Sequence, residues 1–225
     1  MTEKEPKAIM SCNLTGGESY LLINNTDSYY SRLENALNDI KADKHCSCDY
    51  LLFAFIALSS ATLEYSLNYL LAVYCYQKHH YPYYKPYLES YTKISFKNKL
   101  TILPSIISEG KYVLQKEDNI ILNLFSLIQL RNILLHNSQS VKVQKFDFPN
   151  LNVTFNEEGI LIPEENINPD LTVDFQIEIK DNIIDILEKQ QCIDLGESLL
   201  EFREYVVNPY LCNMELKENR LVKPI

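Results

Sequence analysis

Two side chains that can do chemistry, Arg131 and His136, stand five positions apart at the end of a long apolar stretch of the sequence. An arginine presents a planar fork of N–H groups that can hold two oxygens of one anion. A histidine can accept or donate a proton near neutral pH. Apolar core helices rarely carry two such residues. The pair is therefore either a hydrogen-bonded structural cluster or the functional end of the molecule.

The spacing of these two residues restricts how they could act together. On an unbroken helix, five positions separate two side chains by about 140°, so Arg131 and His136 would not converge. Asn132 and His136 are four positions apart and would share a face. Convergence requires either that the helix unwinds near Asn137 or that a symmetric dimer combines residues from two copies in one cleft.

A carboxylate earlier in the chain is a third candidate. Glu64 is the single charged residue in the apolar stretch of residues 50–76. A buried carboxylate needs a cation or hydrogen-bond donors around it. Arg131 is one candidate partner, and a buried tyrosine or lysine is the alternative.

The distribution of charge limits the classes of partner. The chain has a formal net charge of −9, which argues against indiscriminate binding to nucleic acid. Residues 78–131 nevertheless hold eight Lys or Arg and four Asp or Glu, so this stretch is +4 and the remainder is −13. The pattern predicts either a basic face beside Arg131 or a set of separately solvated lysines.

Cysteine usage and the N-terminal sequence bear on the compartment. The six cysteines form no regular framework, and the first residues hold no apolar run long enough for a signal peptide, so we expect reduced thiols in the cytoplasm. His45, Cys46 and Cys48 could begin a zinc site, but no second pair follows at a suitable spacing, and we expect no metal or other cofactor.

One stretch invites a membrane interpretation. Residues 50–76 are apolar over a length that would cross a bilayer. Glu64 lies at the centre of the stretch, where a carboxylate is costly in lipid. We therefore expect a buried helix of a soluble protein, and no membrane partner.

The elements that must position these residues are mostly helical. Apolar periodicity predicts a mainly α bundle, in a single domain over residues 1–225, with a small antiparallel β insertion before the last long helix. Residues 1–25 are expected to be a weakly structured lead-in. The first helix is expected to start near Ser28, with Asp27 or Ser28 as its cap. Further helices are predicted over residues 49–77, 95–110, 117–137 and 181–207, the second of them ending at Gly110 and the last before Pro209.

Two stretches between these helices are different. Residues 78–91 contain two prolines and five tyrosines, which favours a connecting loop whose tyrosines cover the bundle, with a base-stacking surface as the alternative. Residues 151–155 and 159–163 flank a turn and predict a hairpin. Residues 171–180 alternate strictly between apolar and polar, so a small sheet is expected between 141 and 180.

The segment RNILLH, residues 131–136, resembles the signature of the HEPN superfamily, R-x(4–6)-H, commonly with Asn, Asp or His after the arginine. A preceding helix with an embedded acid (LEYSLNYLL) and a short Lys-rich helix (SFKNKL) fit the layout of the same superfamily. The resemblance covers residues 28–138 and the final helix. The sheet is not assigned by it.

The resemblance implies a metal-independent RNA endonuclease in which the RNA 2′-hydroxyl attacks the adjacent phosphate. It also implies a homodimer that acts in bacterial toxin–antitoxin or anti-phage defence, including abortive infection, with an antitoxin or defence component as partner. The residues it implies are Arg131 and His136 as catalytic, Asn132 and Glu64 as supporting, and Lys97, Lys99 and Asn137 as RNA-binding.

One position departs from a subgroup of the family. In HEPN toxins paired with nucleotidyltransferases, a tyrosine follows two positions after the histidine and is modified by the partner. This chain has Ser138 there, so that form of regulation is not expected. Two alternatives to the nuclease stay open: a non-catalytic HEPN module that binds nucleotide or protein, and a helical adaptor in which Arg131 and His136 are structural.

Overall fold

The structure, a computed structural model, describes residues 8–11, 20–42, 49–79, 83–136, 154–155, 161–162 and 187–225. The chain divides into two compact units, Met1–Asn137 with Ile183–Ile225, and Ser138–Asn182. In its described part the protein is mainly α-helical, as the sequence predicts. The second unit spans the region in which the sequence predicts the β insertion.

The described part of the first unit is built mainly from helices. A π-helical turn, Arg203–Val207, links the last two of them. The helices in the described part of this unit are α1 (Thr26–Lys41), α2 (Asp49–His79), α3 (Tyr84–Thr92), α4 (Phe96–Ile107), α5 (Asn119–His136), α6 (Lys189–Phe202) and α7 (Asn208–Asn213).

The centre of this unit is α2, which contacts α1, α3, α4, α5 and α6. Contacts on so many sides explain why this helix is apolar nearly all round. Its buried leucines, Leu63, Leu67, Leu70 and Leu71, each stabilise the fold by roughly 1.5–3 kcal/mol. Against it pack the buried residues Tyr30, Leu33, Leu37 and Ile40 of α1. These four residues recur at helical spacing along α1 and form one buried face.

Some hydroxyls inside α2 are satisfied by the helix itself, whereas the buried Oγ of Ser59 has no hydrogen-bond partner. The hydroxyl of Ser66 donates to the carbonyl of Thr62 at 2.8 Å, and that of Thr62 donates to the carbonyl of Leu58 at 2.8 Å. From Tyr50 to His79 the helix is long and apolar enough to cross a membrane. The core helix of a soluble protein can have the same length and composition. Its packing on five other helices is compatible with a soluble protein.

The first helix starts earlier than the sequence predicts. Asn24 supplies the side-chain oxygen at its start and accepts the backbone N–H of Thr26 at 2.9 Å. Asp27 and Ser28 are already inside the helix, so their prediction as caps is wrong. Asp27 instead lies 2.6 Å from Arg203 and links α1 to the π-helical turn.

The tyrosine-rich stretch is not the loop that the sequence predicts. Most of it forms α3, which has no fully buried residue. Pro86 lies in the first turn of α3, where the missing N–H costs no helical hydrogen bond. Tyr91 of α3 packs partly against the core, as expected for a tyrosine that covers the bundle.

The final helical stretch also continues past the predicted end. Pro209 stands in the first turn of α7 rather than after the last helix. The wider π-helical turn before it and the tolerance of a first turn for proline explain the continuation. Gly110, by contrast, follows α4 as predicted, with a positive φ of 83° and its N–H bonded to the carbonyl of Ser105 at 2.7 Å.

Short antiparallel strand pairs complete the described structure. In the expected lead-in, β1 (Ala8–Ser11) pairs with β2 (Tyr20–Ile23), so this region is more regular than predicted. The chain end, β6 (Val222–Pro224), pairs with β3 (Tyr112–Leu114), a contact that the sequence does not reveal.

The second unit contains one described strand pair. Here β4 (Thr154–Phe155) pairs with β5 (Leu161–Ile162), which confirms the predicted hairpin. The strand predicted over residues 171–180 lies outside the described residues.

Candidate functional site

The helix that carries the motif is α5, and its start is well defined. Asp118 accepts the backbone N–H of Ile120 at 2.9 Å and thereby caps the helix. Its inner face is apolar: five residues are buried, and Phe125 is partly buried. The five are Ile120, Ile121, Leu124, Leu127 and Ile128. This packing fixes the rotation of α5, and so the direction in which Arg131 leaves it.

Arg131 contacts side chains of two helices with its two terminal nitrogens. Nη2 lies 3.6 Å from Oε2 of Glu64 on α2. Nη1 donates to Oδ1 of the adjacent Asn132 at 3.1 Å. Of the two kinds of partner that the sequence left open for Glu64, an arginine forms the ion pair. The Arg131 side chain keeps 24% of its surface exposed, so it is not sealed in the core.

A third helix supports the same guanidinium. The ring of Phe96, the first residue of α4, lies below Arg131 with 5.9 Å between the ring centroid and Cζ. A cation at this distance is attracted by the face of an aromatic ring, by about 0.5–1 kcal/mol at an exposed site. Arg131 is thus restrained by α2, by α4 and by its own helix.

Lys99 of α4 lies next to this arrangement but inside the protein. Its side chain is only 4% exposed, and Nζ donates to Oδ1 of Asn68 at 2.8 Å. Asn68 follows Glu64 by one turn of α2, so both residues project from the same face. Burial lowers the pKa of Lys99, while the negative charge of Glu64 acts in the opposite direction.

The residues described so far form one group, which we call the Arg131 cluster. It comprises Glu64 and Asn68 of α2, Phe96 and Lys99 of α4, and Arg131 and Asn132 of α5. Asn68 and Phe96 were not singled out from the sequence. The position of Asn68 one turn after Glu64 was the signal that could have identified it.

The structure separates the two lysines predicted to contact RNA. Lys97 is exposed, and its Nζ lies 5.3 Å from the ring centroid of Phe125. It can therefore contact an anion in solution. Lys99 is buried, so its prediction as a surface contact is wrong. The sequence of α4 explains the difference. Lys99 lies one turn before Leu103, on the apolar face of the helix, whereas Lys97 lies off that face. The third predicted contact, Asn137, lies outside the described residues.

The basic face predicted beside Arg131 is only partly present among the described residues. Lys78 is neutralised by Glu109 at 2.6 Å, and Lys111 approaches Glu215 at 3.9 Å. The hydrogen bond from Lys78 holds the pKa of Glu109 below its usual value. Lys99 is buried as well, so Lys78, Lys99 and Lys111 add no unpaired surface charge to such a face.

The backbone places Arg131 and His136 on one continuous helix. α5 is unbroken through His136, its last residue, and so does not unwind before it. The two positions are therefore about 140° apart around the helix axis. The side chain of His136 and the whole of Asn137 lie outside the described part.

Other reactive groups do not add to this site. Among the described residues no three His, Cys, Asp or Glu side chains are grouped as metal ligands, and His45, Cys46 and Cys48 lie outside that part. Cys75 and Cys192 are buried free thiols, and burial raises their pKa values to about 11 and about 12. Such thiols are poor nucleophiles at neutral pH.

The aromatic rings of α3 contact the end of α2 instead of forming an open stack. His79 and Tyr87 stack with 3.6 Å between ring centroids. Tyr84 meets Tyr76 edge to face at 5.8 Å. These contacts favour the covering role predicted for the tyrosines over a base-stacking surface.

Comparison of the chain with protein-family models, curated proteins and solved structures gave no match.

Proposed function

We propose that this protein is a metal-independent RNA endonuclease of the HEPN type, with Arg131 and His136 as its catalytic residues. One observation carries the proposal: the guanidinium of Arg131 is held in place by Glu64, Asn132 and Phe96 and still reaches solvent. An arginine that only stabilised the bundle would be expected to donate its N–H groups to helix carbonyls. An oriented and accessible arginine suits an anion.

The chemistry of the proposed reaction needs no metal and consumes no water. The 2′-oxygen of the RNA forms a bond to the adjacent phosphorus, and the bond from that phosphorus to the 5′-oxygen breaks. The proton of the 2′-hydroxyl leaves, and a proton reaches the departing 5′-oxygen, giving a 2′,3′-cyclic phosphate and a 5′-hydroxyl. Arg131 stabilises the negative charge that accumulates on the phosphoryl oxygens, and His136 moves a proton.

The proposed active form is a homodimer. Arg131 and His136 are about 140° apart on one unbroken helix, so a single copy does not bring them to one phosphate by helix geometry alone. A two-fold axis beside the end of α5 places the arginine of one copy near the histidine of the other. Asn132 supports the site by fixing Nη1 of Arg131.

The biological setting of the proposal follows from the HEPN resemblance. We propose a cytoplasmic effector of toxin–antitoxin or anti-phage defence, whose partners are RNA and an antitoxin or another defence component. Since RNA itself supplies the nucleophile, DNA is not a substrate.

The test is cleavage of RNA in excess EDTA by wild type, Arg131→Ala and His136→Ala, with Arg32→Ala as the matched control. Arg32 is an exposed arginine of α1 whose Nη1 donates to Ser28. Each active-site variant is expected to lose about 100- to 10,000-fold in rate while staying folded. A 2′-deoxy nucleotide at the cleaved position should block the reaction.

The alternatives give different results in the same experiment. Uncut RNA with tight nucleotide binding by wild type identifies a non-catalytic module. Two alanine variants that lose thermal stability, with no ligand for wild type, identify a structural adaptor. Cleavage that EDTA abolishes overturns the metal-independent mechanism.

A further inference from the structure

The Arg131 cluster contains more positive than negative charge. Its charged members are Glu64 of α2, Lys99 of α4 and Arg131 of α5. The cluster therefore has one carboxylate and two cations, of which Arg131 reaches solvent and Lys99 does not. A singly charged anion at Arg131 would balance the cluster, and a phosphodiester is such an anion.

Lys99 is poorly explained by a contribution to stability. Its neighbours on the inner face of α4, Leu100 and Leu103, are buried and apolar. Burying an ammonium group costs free energy, and replacing buried ionic groups with apolar side chains of similar volume is often stabilising. A methionine at this position would pack like its neighbours. The lysine therefore contributes charge at a position where a hydrophobic residue would hold the fold better.

We propose that Lys99 is a positioning residue for Arg131: it holds Asn68 and Glu64 from inside the bundle, and through Glu64 it fixes the guanidinium at the surface. The inference rests on the proposed function for what Arg131 binds, an RNA phosphate. The positioning itself is a property of the protein without RNA.

Lys99 is connected to Arg131 by two side-chain contacts and, between them, by the charge interaction of Glu64 with Lys99. Nζ of Lys99 donates to Asn68 at 2.8 Å, which ties α4 to one face of α2. Glu64 lies on that face one turn earlier and acts on Lys99 through its negative charge. The same carboxylate lies 3.6 Å from Nη2 of Arg131. Because 3.6 Å is too long for a strong hydrogen bond, the pair depends on where the carboxylate is held.

The kinetic test uses Lys99→Met and the double variant Lys99→Met/Asn68→Leu. The double variant leaves no unpaired amide in the core and is the safer of the two for folding. Lys41→Met is the control, an exposed lysine of α1 whose partner is Glu197. We expect both cluster variants to keep a cooperative thermal transition while kcat for RNA falls by about 10- to 100-fold, the loss that a small misplacement of a catalytic group causes. KM is expected to change little.

A second test measures the accessibility of the Arg131 guanidinium in the absence of RNA. Phenylglyoxal modifies accessible arginines, and the rate at each can be followed by mass spectrometry of peptides. Arg32, exposed on α1, is the internal reference. We expect the modification rate of Arg131 relative to Arg32 to rise about threefold or more in both cluster variants, because a guanidinium freed from its ion pair samples more solvent. Lys41→Met should leave this ratio unchanged.

The two readouts separate failure of this inference from failure of the proposed function. An unchanged modification ratio in folded cluster variants overturns the positioning role of Lys99. So does a wild-type kcat in Lys99→Met/Asn68→Leu. If wild type cleaves no RNA while the ratio still rises, the nuclease assignment fails and the positioning of Arg131 stands.

Discussion

Glu64 of α2 and Arg131 of α5 form an ion pair between two helices, with 3.6 Å between Oε2 and Nη2. Both side chains are partly exposed, so the pair contributes only about 0–1 kcal/mol to stability. Its effect on geometry is larger, because it restrains one edge of a guanidinium whose other edge is held by Asn132. The pair is therefore better understood as orienting Arg131 than as stabilising the fold.

Replacing the carboxylate tests this interpretation. In Glu64→Gln the guanidinium loses its ionic partner, and we expect kcat for RNA cleavage to fall by roughly 10- to 100-fold. The cluster also becomes more positive, so KM for RNA should stay the same or fall. Steady-state kinetics at fixed ionic strength measures both. Glu197→Gln, which removes an exposed partner of Lys41, is the control and should match wild type.

The expected split between the two constants makes the prediction specific. A rise in KM with unchanged kcat would mean that Glu64 contributes to binding alone, contrary to an orienting role.

Mixing two inactive variants tests the composite site. A dimer of Arg131→Ala with His136→Ala retains one arginine and one histidine on different copies. If the active site combines two copies, a mixture in which subunits exchange freely should recover about a quarter of wild-type activity, because about half of the dimers are mixed and each has one of two sites intact. RNA cleavage before and after exchange measures this.

The control for that experiment is the mixture without exchange, which should stay inactive. Activity that does not rise although mixed dimers have formed would place both residues of a working site within one copy. Part of α5 would then have to depart from helical geometry when RNA binds.

Features fixed by local pattern were predictable from the sequence. The buried face of α1 and the length of α2 follow from apolar spacing alone, since each residue's neighbours are a turn away. The hairpin of β4 and β5 was predictable for a similar reason, because its strands flank one short turn. The ion pair between Glu64 and Arg131 was foreseen as one of two alternatives, although the carboxylate is partly exposed and not buried as the sequence suggested.

Features that depend on distant parts of the chain were not predictable. The pairing of β3 with β6 joins residues from the middle and the end of the sequence, and no local pattern records it. The ion pair of Asp27 with Arg203 likewise joins distant parts of the chain. Lys99 was predicted to bind RNA, although its spacing to Leu103 places it on the inner face of α4.

The cost of burying Lys99 predicts how stability depends on pH. Burial lowers its pKa in the folded protein below the value of 10.5 for a free side chain. Burial destabilises the charged form of the lysine in the folded protein and so opposes folding. Replacing it together with its partner, in Lys99→Met/Asn68→Leu, should raise the free energy of unfolding by roughly 1 kcal/mol or more.

This advantage should decrease at alkaline pH. Between the lowered pKa and 10.5 the unfolded chain binds more protons than the folded protein, so wild type gains stability as the pH rises. Urea unfolding of both proteins from pH 7 to 10.5 gives the difference, in which the tyrosines common to both cancel. A difference that stays constant over this range would show that Lys99 is not held with a lowered pKa.

Asp118 is expected to stabilise the N-terminal end of α5. Its carboxylate accepts the N–H of Ile120 at 2.9 Å and also binds Nε of Arg220 at 2.9 Å, which joins the start of α5 to the C-terminal segment. Asp118→Ala removes the cap and should lower the free energy of unfolding by about 1 kcal/mol, with a range of 0.5–2. Asp118→Asn keeps a capping oxygen and should cost clearly less.

Glu201→Ala, which removes only the second partner of Arg220, is the control and should be near neutral because that pair is exposed. Equal losses for the alanine and asparagine variants in urea unfolding would show that the charge on Arg220, rather than the cap on Ile120, anchors the start of α5.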